Sequence, residues 1–168
     1  LGEVFDIHAG GLDLIFPHHE NEIAQSCCAH GTNHMARYWL HNGFVTMNDE
    51  KMSKSLGNII TVADANARYR PEVLRAALLS AHYRAPLDLS ENAMRDAQNS
   101  LDRLYRAAGT AMPSDIALDD AFMACLCDDL NTPAAMARLH ELVRLANKGD
   151  QAAAAALKSS AKLIGLLR

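Results

Sequence analysis

Val4-Phe5-Asp6-Ile7-His8-Ala9-Gly10-Gly11-Leu12-Asp13 runs directly into Leu14-Ile15-Phe16-Pro17-His18-His19-Glu20-Asn21-Glu22. Residues 4–8 are a short run of strand formers and predict a β-strand. Ala9-Gly10-Gly11 predicts its end, Pro17 punctuates the loop beyond, and residues 18–30 predict a helix closed at Gly31. A strand, a glycine-bearing turn and a helix in that order are the start of an α/β layer. Glycines behind a strand let backbone approach a ligand closely, and Asp13 is a suitable acceptor for ribose hydroxyls. The plainer reading is a strand-ending turn. His18 and Glu22 lie four residues apart, hence on one helical face and close enough to share a metal ion. An imidazole and a carboxylate suit zinc, but two ligands do not complete a site. The plainer reading there is a helix N-terminus whose acidic residues match its dipole. Six of the eight histidines fall within the first 41 residues, so the chemistry is expected in that part.

Outward from this stretch, Arg37 to Met47 predicts two short strands around Asn42-Gly43, a hairpin-type dipeptide. Asn48 to Asn58 reads as a polar loop containing Lys51-Met52-Ser53-Lys54-Ser55. Two ammonium groups and two hydroxyls within five residues suit the wrapping of phosphates. From Thr61 onward the pattern is helical. Thr61 and Asp64 form a capping box, Pro71 opens a second helix, and Ser90 caps a long one to about Ala108. Leu101, Leu104 and Tyr105 are expected to face a core. Residues 118–129 predict a fourth helix, Thr132-Pro133 (cap, then first helical residue) opens a fifth, and residues 150–166 form the last. The predicted boundary lies near Pro86 to Ser90, giving an α/β portion over 1–88 and an all-α bundle over 89–168, helix-dominated overall.

The chain has 168 residues, 49% of them hydrophobic and 21% charged, which is enough apolar material for a packed core. The net charge of −4 argues against a DNA-coating protein, and no apolar run reaches the length of a membrane span. Charge is uneven: residues 1–50 carry a net −6 and residues 51–168 a net +2, so a polyanion would meet a local patch beginning near Lys51. Cys27-Cys28 and Cys125-x-Cys127 lack zinc-site spacing and are read as thiols in a reducing, cytoplasmic compartment.

The string Lys51-Met52-Ser53-Lys54-Ser55 is that of the KMSKS loop of class I aminoacyl-tRNA synthetases, and the chain resembles the cysteinyl-tRNA synthetase family. The resemblance covers Phe5 to His8, Gly10 to Ser26, Leu40 to Val45, Lys51 to Asn58, Ser80 to Arg84 and, further on, Asp128 to Pro133. One departure is Ala9, where the family usually has a third glycine. The resemblance implies ATP-dependent activation of L-cysteine to cysteinyl adenylate, with ATP bound as its Mg2+ complex, and transfer to tRNA-Cys. It implies that His18 and Glu22 are two ligands of a Zn2+ that holds the substrate thiolate. It implies that Lys54 binds ATP phosphates with Lys51, Ser53 and Ser55 assisting, Lys51 and Lys54 being the catalytic pair, and that His8, Gly10, Gly11 and Asp13 line the adenylate pocket.

The implied fold is the C-terminal part of a class I Rossmann-like catalytic domain, followed by an α-helical bundle. An HIGH-type sequence and cysteine zinc ligands are expected upstream of Leu1, and an anticodon-reading domain after Arg168. The chain is therefore expected to be an incomplete, monomeric portion of a cytoplasmic ligase, with no DNA or membrane partner. Two alternatives are a ligase that joins cysteine to an amino-sugar in mycothiol synthesis, and a non-catalytic truncated paralogue that docks RNA or protein.

Overall fold

In a computed structural model, the described residues are 2–47, 50–51, 61–109, 111 and 118–168. By compactness the chain forms two units, Leu1–Val45 with Tyr83–Leu87, and Thr46–His82 with Asp88–Arg168. None of the helices among the described residues is long and apolar enough to cross a membrane.

The first unit is built on a parallel strand–helix–strand crossover. Strand β1 (Phe5–Gly11) pairs with β2 (Ala36–Asn42), and helix α1 (Glu20–His30) connects them. The register sets His8 beside Trp39 and Gly10 beside His41. Between β1 and α1 the chain makes a tight turn at Leu12–Leu14 and a wide one at Ile15–His19. Gly31 closes α1 in the left-handed region at φ 66°, as its position predicts.

Two expectations are corrected here. Ala9-Gly10-Gly11 does not end the strand, which continues through Gly11. The glycine at position 10 answers a packing need: a Cβ there would stand 2.9 Å from the ring of His19. Asn42-Gly43 makes no hairpin either. Gly43 N donates to Tyr83 O at 2.8 Å, and the backbone of Ala85 occupies the space a side chain would take. Strand β3 (Val45–Met47) pairs antiparallel with β4 (Glu50–Lys51) instead, so Glu50 and Lys51 of the expected polar loop are strand. The short β5 (Leu87–Asp88) lies on the other side of β3.

The second unit is a helical bundle of α2 (Val62–Arg68), α3 (Pro71–Leu79), α4 (Glu91–Ala108), α5 (Asp120–Cys127), α6 (Thr132–Ala146) and α7 (Gln151–Leu163). Thr61 and Asp64 form the reciprocal cap of α2, and Ser90 Oγ accepts from Ala93 N at 3.3 Å to start α4. The fifth cap falls one residue earlier than expected. Asn131 Oδ1 accepts from Ala134 N at 3.2 Å, while Thr132 Oγ1 donates to Ala81 O at 3.2 Å. Asn is among the strongest capping residues, which explains the shift. The core holds Val73, Leu101, Leu104, Phe122, Leu139, Leu157 and Leu166, all almost fully buried. Helix α3, which precedes Ser90, shares this core with α4 through Val73, Ala76 and Ala77. Tyr105 is only partly buried, and its hydroxyl donates to Glu72 Oε2 at 2.8 Å.

One ion pair ties α5 to α6. Arg138 Nε and Nη2 donate to the two oxygens of Asp119 at 2.8 Å each, and Asp119 Oδ1 also accepts from Phe122 N at 2.8 Å as the cap of α5. The Arg138 hydrogen bonds hold the Asp119 carboxyl below the usual carboxylate range against the opposing effect of burial, helped by the Phe122 N–H. A carboxyl whose pKa is lowered on folding stabilises the fold above its unfolded value, near 3.9, and loses that contribution as pH falls through the folded value. Asp119→Ala is therefore expected to cost about 2–3 kcal/mol at neutral pH. Urea unfolding should show the gap from the unmodified chain narrowing below about pH 4. A gap that stays constant down to pH 2 would contradict this assignment.

Candidate functional site

The first unit gathers four imidazoles, an indole and a carboxylate. Alternation along the parallel strands sets His8 and Gly10 of β1 on the same face as Trp39 and His41 of β2. The missing side chain of Gly10 leaves room for His19, which arrives from the wide turn and is 3% exposed. His19 meets His8 edge-on at 4.8 Å between ring centroids, and its Nδ1 shares a 2.9 Å hydrogen bond with His41 Nε2. Trp39 closes over His8 at 4.8 Å and over His19 at 5.4 Å. Burial above all, then the neighbouring His8 and His41, hold His19 below the usual imidazole value, so its ring is neutral at pH 7.

Glu22 stands in the first turn of α1, where a carboxylate also matches the helix dipole. His8 Nε2 donates to its Oε2 at 2.9 Å, and His18 Nε2 lies 3.5 Å from its Oε1. The spacing of His18 and Glu22 thus gives the one-face pair that the sequence predicts. His8, His19 and Glu22 also converge, each offering one ligand atom within 4.8 Å of the others. Nitrogen and carboxylate donors of this kind fit zinc. Gly11 has a positional reason of its own: a Cβ there would stand 2.5 Å from Asp13 Oδ1, so the glycine admits that carboxylate.

His8, Gly10, Gly11, Asp13, His18 and Glu22 all belong to the first unit. Lys51 lies on β4 in the second unit, and Ser53, Lys54 and Ser55 lie outside the described residues. The sequence gives no role to His19, Trp39 or His41. Their signal is visible only with the β1–β2 register in hand, because Trp39 and His41 lie 31 and 33 residues from His8, and His19 lies 22 residues from the His41 it bonds.

The catalytic-domain model for class I (C) tRNA synthetases matches residues 1–99, and a DALR domain model matches residues 121–168. The cysteine–tRNA ligase of Parvibaculum lavamentivorans is 52% identical over 99% of the chain, which spans 38% of that protein. That of Chelativorans sp. is 53% identical over 99% of the chain, which spans 35% of that protein. The chain therefore has little more than a third of the length of these relatives. Two solved structures share the fold over 95% of the chain. They are a leucyl enzyme, LeuRS of Agrobacterium radiobacter with tRNA and LeuAMS (TM-score 0.68, 18% identity, 24% of that chain), and methionyl-tRNA synthetase of Mycobacterium tuberculosis bound by methionyl-adenylate (0.60, 20%, 39%). A parallel strand–helix–strand unit with an imidazole-rich face, a following helical bundle and a family match over more than half its length lead to one assignment: the chain belongs to the class I (C) tRNA synthetase catalytic-domain family.

Proposed function

We propose that the chain carries the amino-acid-recognition and phosphate-binding parts of a cysteine–tRNA ligase, which activates L-cysteine with ATP and Mg2+ and transfers it to tRNA-Cys. Residues 1–88 are assigned to its catalytic portion, whose α3 packs into the bundle core, and residues 89–168 to the α4–α7 part of the bundle, and the reading implies a monomeric cytoplasmic enzyme. The observation that carries the proposal is the Glu22 carboxylate held between His8 and His18, at 2.9 and 3.5 Å. His18 and Glu22 supply nitrogen and oxygen donors on one helical face and are the residues that would hold zinc. Zinc with an open position prefers a thiolate to a hydroxyl, and so would favour cysteine over serine.

The chain's own groups divide the remaining work. His8 fixes the orientation of the Glu22 carboxylate through its hydrogen bond. His19, buried and neutral, adds no positive charge beneath the amino-acid site. Gly10 leaves room for the His19 ring and Gly11 for the Asp13 carboxylate, and on this reading His8, Gly10, Gly11 and Asp13 line the adenylate pocket, with Asp13 accepting from ribose hydroxyls. Lys51, Ser53, Lys54 and Ser55 bind the phosphates of ATP.

The test is cysteine-dependent ATP–pyrophosphate exchange in the full-length ligase, with serine as competitor. Glu22→Ala is expected to raise the cysteine KM by at least about 10- to 100-fold, to lower the zinc content and to narrow the preference over serine. An unchanged cysteine KM with full discrimination against serine would overturn the assignment.

A further inference from the structure

Trp39 is the single tryptophan of the chain, and the cysteine site as described gives it no task. It stands apart from the apolar core, whose residues all belong to the second unit. Its ring partners are three imidazoles. The indole meets His8 edge-on at 4.8 Å and 62°, tilts against His19 at 5.4 Å, and lies nearly parallel to His41 at 6.0 Å and 12°. Strand register produces this placement: Trp39 pairs with His8 across β1 and β2, and His41 follows two residues later on the same face.

His8 is the group that these contacts restrain. Its Nε2 donates to Glu22 Oε2 at 2.9 Å. One hydrogen bond fixes a donor atom but not a ring, which still turns about its side-chain torsions. Packing supplies the rest. Besides Trp39, His19 meets the His8 ring at 4.8 Å and 79°, and Phe5 tilts against it at 5.6 Å. The indole is the largest of these rings, and a flat side chain with two torsions loses little freedom when it serves as a wall. The Glu22 side chain is 33% exposed, so water competes for its oxygens whenever the His8 donor turns away. A wall that keeps His8 in place therefore keeps the Glu22 carboxylate in one orientation.

We propose that Trp39 is a positioning residue for cysteine recognition: packed on His8, it holds the imidazole that orients the Glu22 carboxylate. The proposal deepens, and rests on, the reading of His18 and Glu22 as the residues that would hold zinc. Trp39 acts one residue removed from that pair. Partners at this remove matter because a ligand that wanders among orientations binds its metal less tightly.

The experiment uses the full-length ligase. It measures zinc affinity by competition with a chelator, and the kinetics of cysteine-dependent pyrophosphate exchange. W39M, W39F, H8A and W39M/H8A are compared with the unmodified protein, with circular dichroism to confirm equal helicity. W39M fills much of the volume but removes the flat ring. It is expected to weaken zinc binding and to raise the cysteine KM by about 10-fold each, with kcat and the ATP KM changed by no more than about threefold. W39F restores a flat ring and should recover most of both losses. In H8A the group that Trp39 holds is gone, so adding W39M should move the cysteine KM by less than about twofold. A merely structural tryptophan would instead add its full loss to that of H8A and lower kcat as well. Full additivity, or unmodified zinc affinity and cysteine KM in W39M, would overturn the proposal and leave the ligase reading standing. Absence of both zinc and cysteine-dependent exchange in the unmodified protein would overturn that reading and this proposal with it. If W39M loses native helicity, the same cycle is run with W39F, whose smaller loss must likewise vanish in H8A.

Discussion

In the full-length ligase, Lys54→Ala is expected to slow cysteine-dependent pyrophosphate exchange by about 100- to 1,000-fold while leaving cysteine affinity within a factor of a few. Lys51-Met52-Ser53-Lys54-Ser55 concentrates two ammonium groups and two hydroxyls in five residues. Adenylation joins the cysteine carboxylate to the α-phosphate and releases pyrophosphate, so negative charge develops on the departing group. An ammonium aimed there is worth more in the transition state than in the ground state, and its loss falls on kcat. One preorganised charge contact of this type contributes roughly 2.7–4 kcal/mol. On the proposed reading cysteine is held through His18 and Glu22 rather than by this loop. The complementary pattern is therefore expected of Glu22→Ala, which damages KM first. Loss of cysteine binding in Lys54→Ala, with exchange intact at saturating cysteine, would reverse the division of roles.

Phe122→Ala is expected to destabilise the helical bundle by about 3–5 kcal/mol, measured by urea unfolding followed by circular dichroism. Phe122 is fully buried on α5, in the same core as Leu101, Leu104, Leu139 and Leu157. A ring removed from that environment leaves a cavity that helices anchored at their N-terminal ends by the Asp119, Asn131 and Asp150 caps collapse into only partly. Val62→Ser supplies the contrast: that side chain is 69% exposed and its change should stay within about 0.5 kcal/mol. Equal effects for the two substitutions would contradict the placement of the core.

The helical half was readable in the sequence because its signals are local. A cap such as Ser90, a proline such as Pro71 and the apolar spacing of Leu101 and Leu104 act within a turn or two of the residue that carries them. The errors of one residue at Asn131 and of two strand ends have the same physical origin. Asn131 and Thr132 are both good caps, and tertiary packing chose between them by giving the threonine hydroxyl to Ala81. Gly10 and Gly43 look like turn residues in isolation, yet each serves close packing against a distant group, His19 in one case and Ala85 in the other. The pairing of His18 with Glu22 was legible from helical periodicity alone. The addition of His8, His19 and His41 to that pair was not, since it depends on a parallel register between strands about 30 residues apart.

The central claim is that this chain's histidine- and carboxylate-rich face serves a ligase that loads cysteine onto tRNA. The most direct measurement presents the full-length protein with ATP, radiolabelled cysteine and either tRNA-Cys or the amino-sugar acceptor of mycothiol synthesis. The account predicts cysteine transfer to tRNA, reduced by Glu22→Ala and by Lys54→Ala, and none to the amino-sugar. Transfer of cysteine to the amino-sugar without charging of tRNA would contradict it.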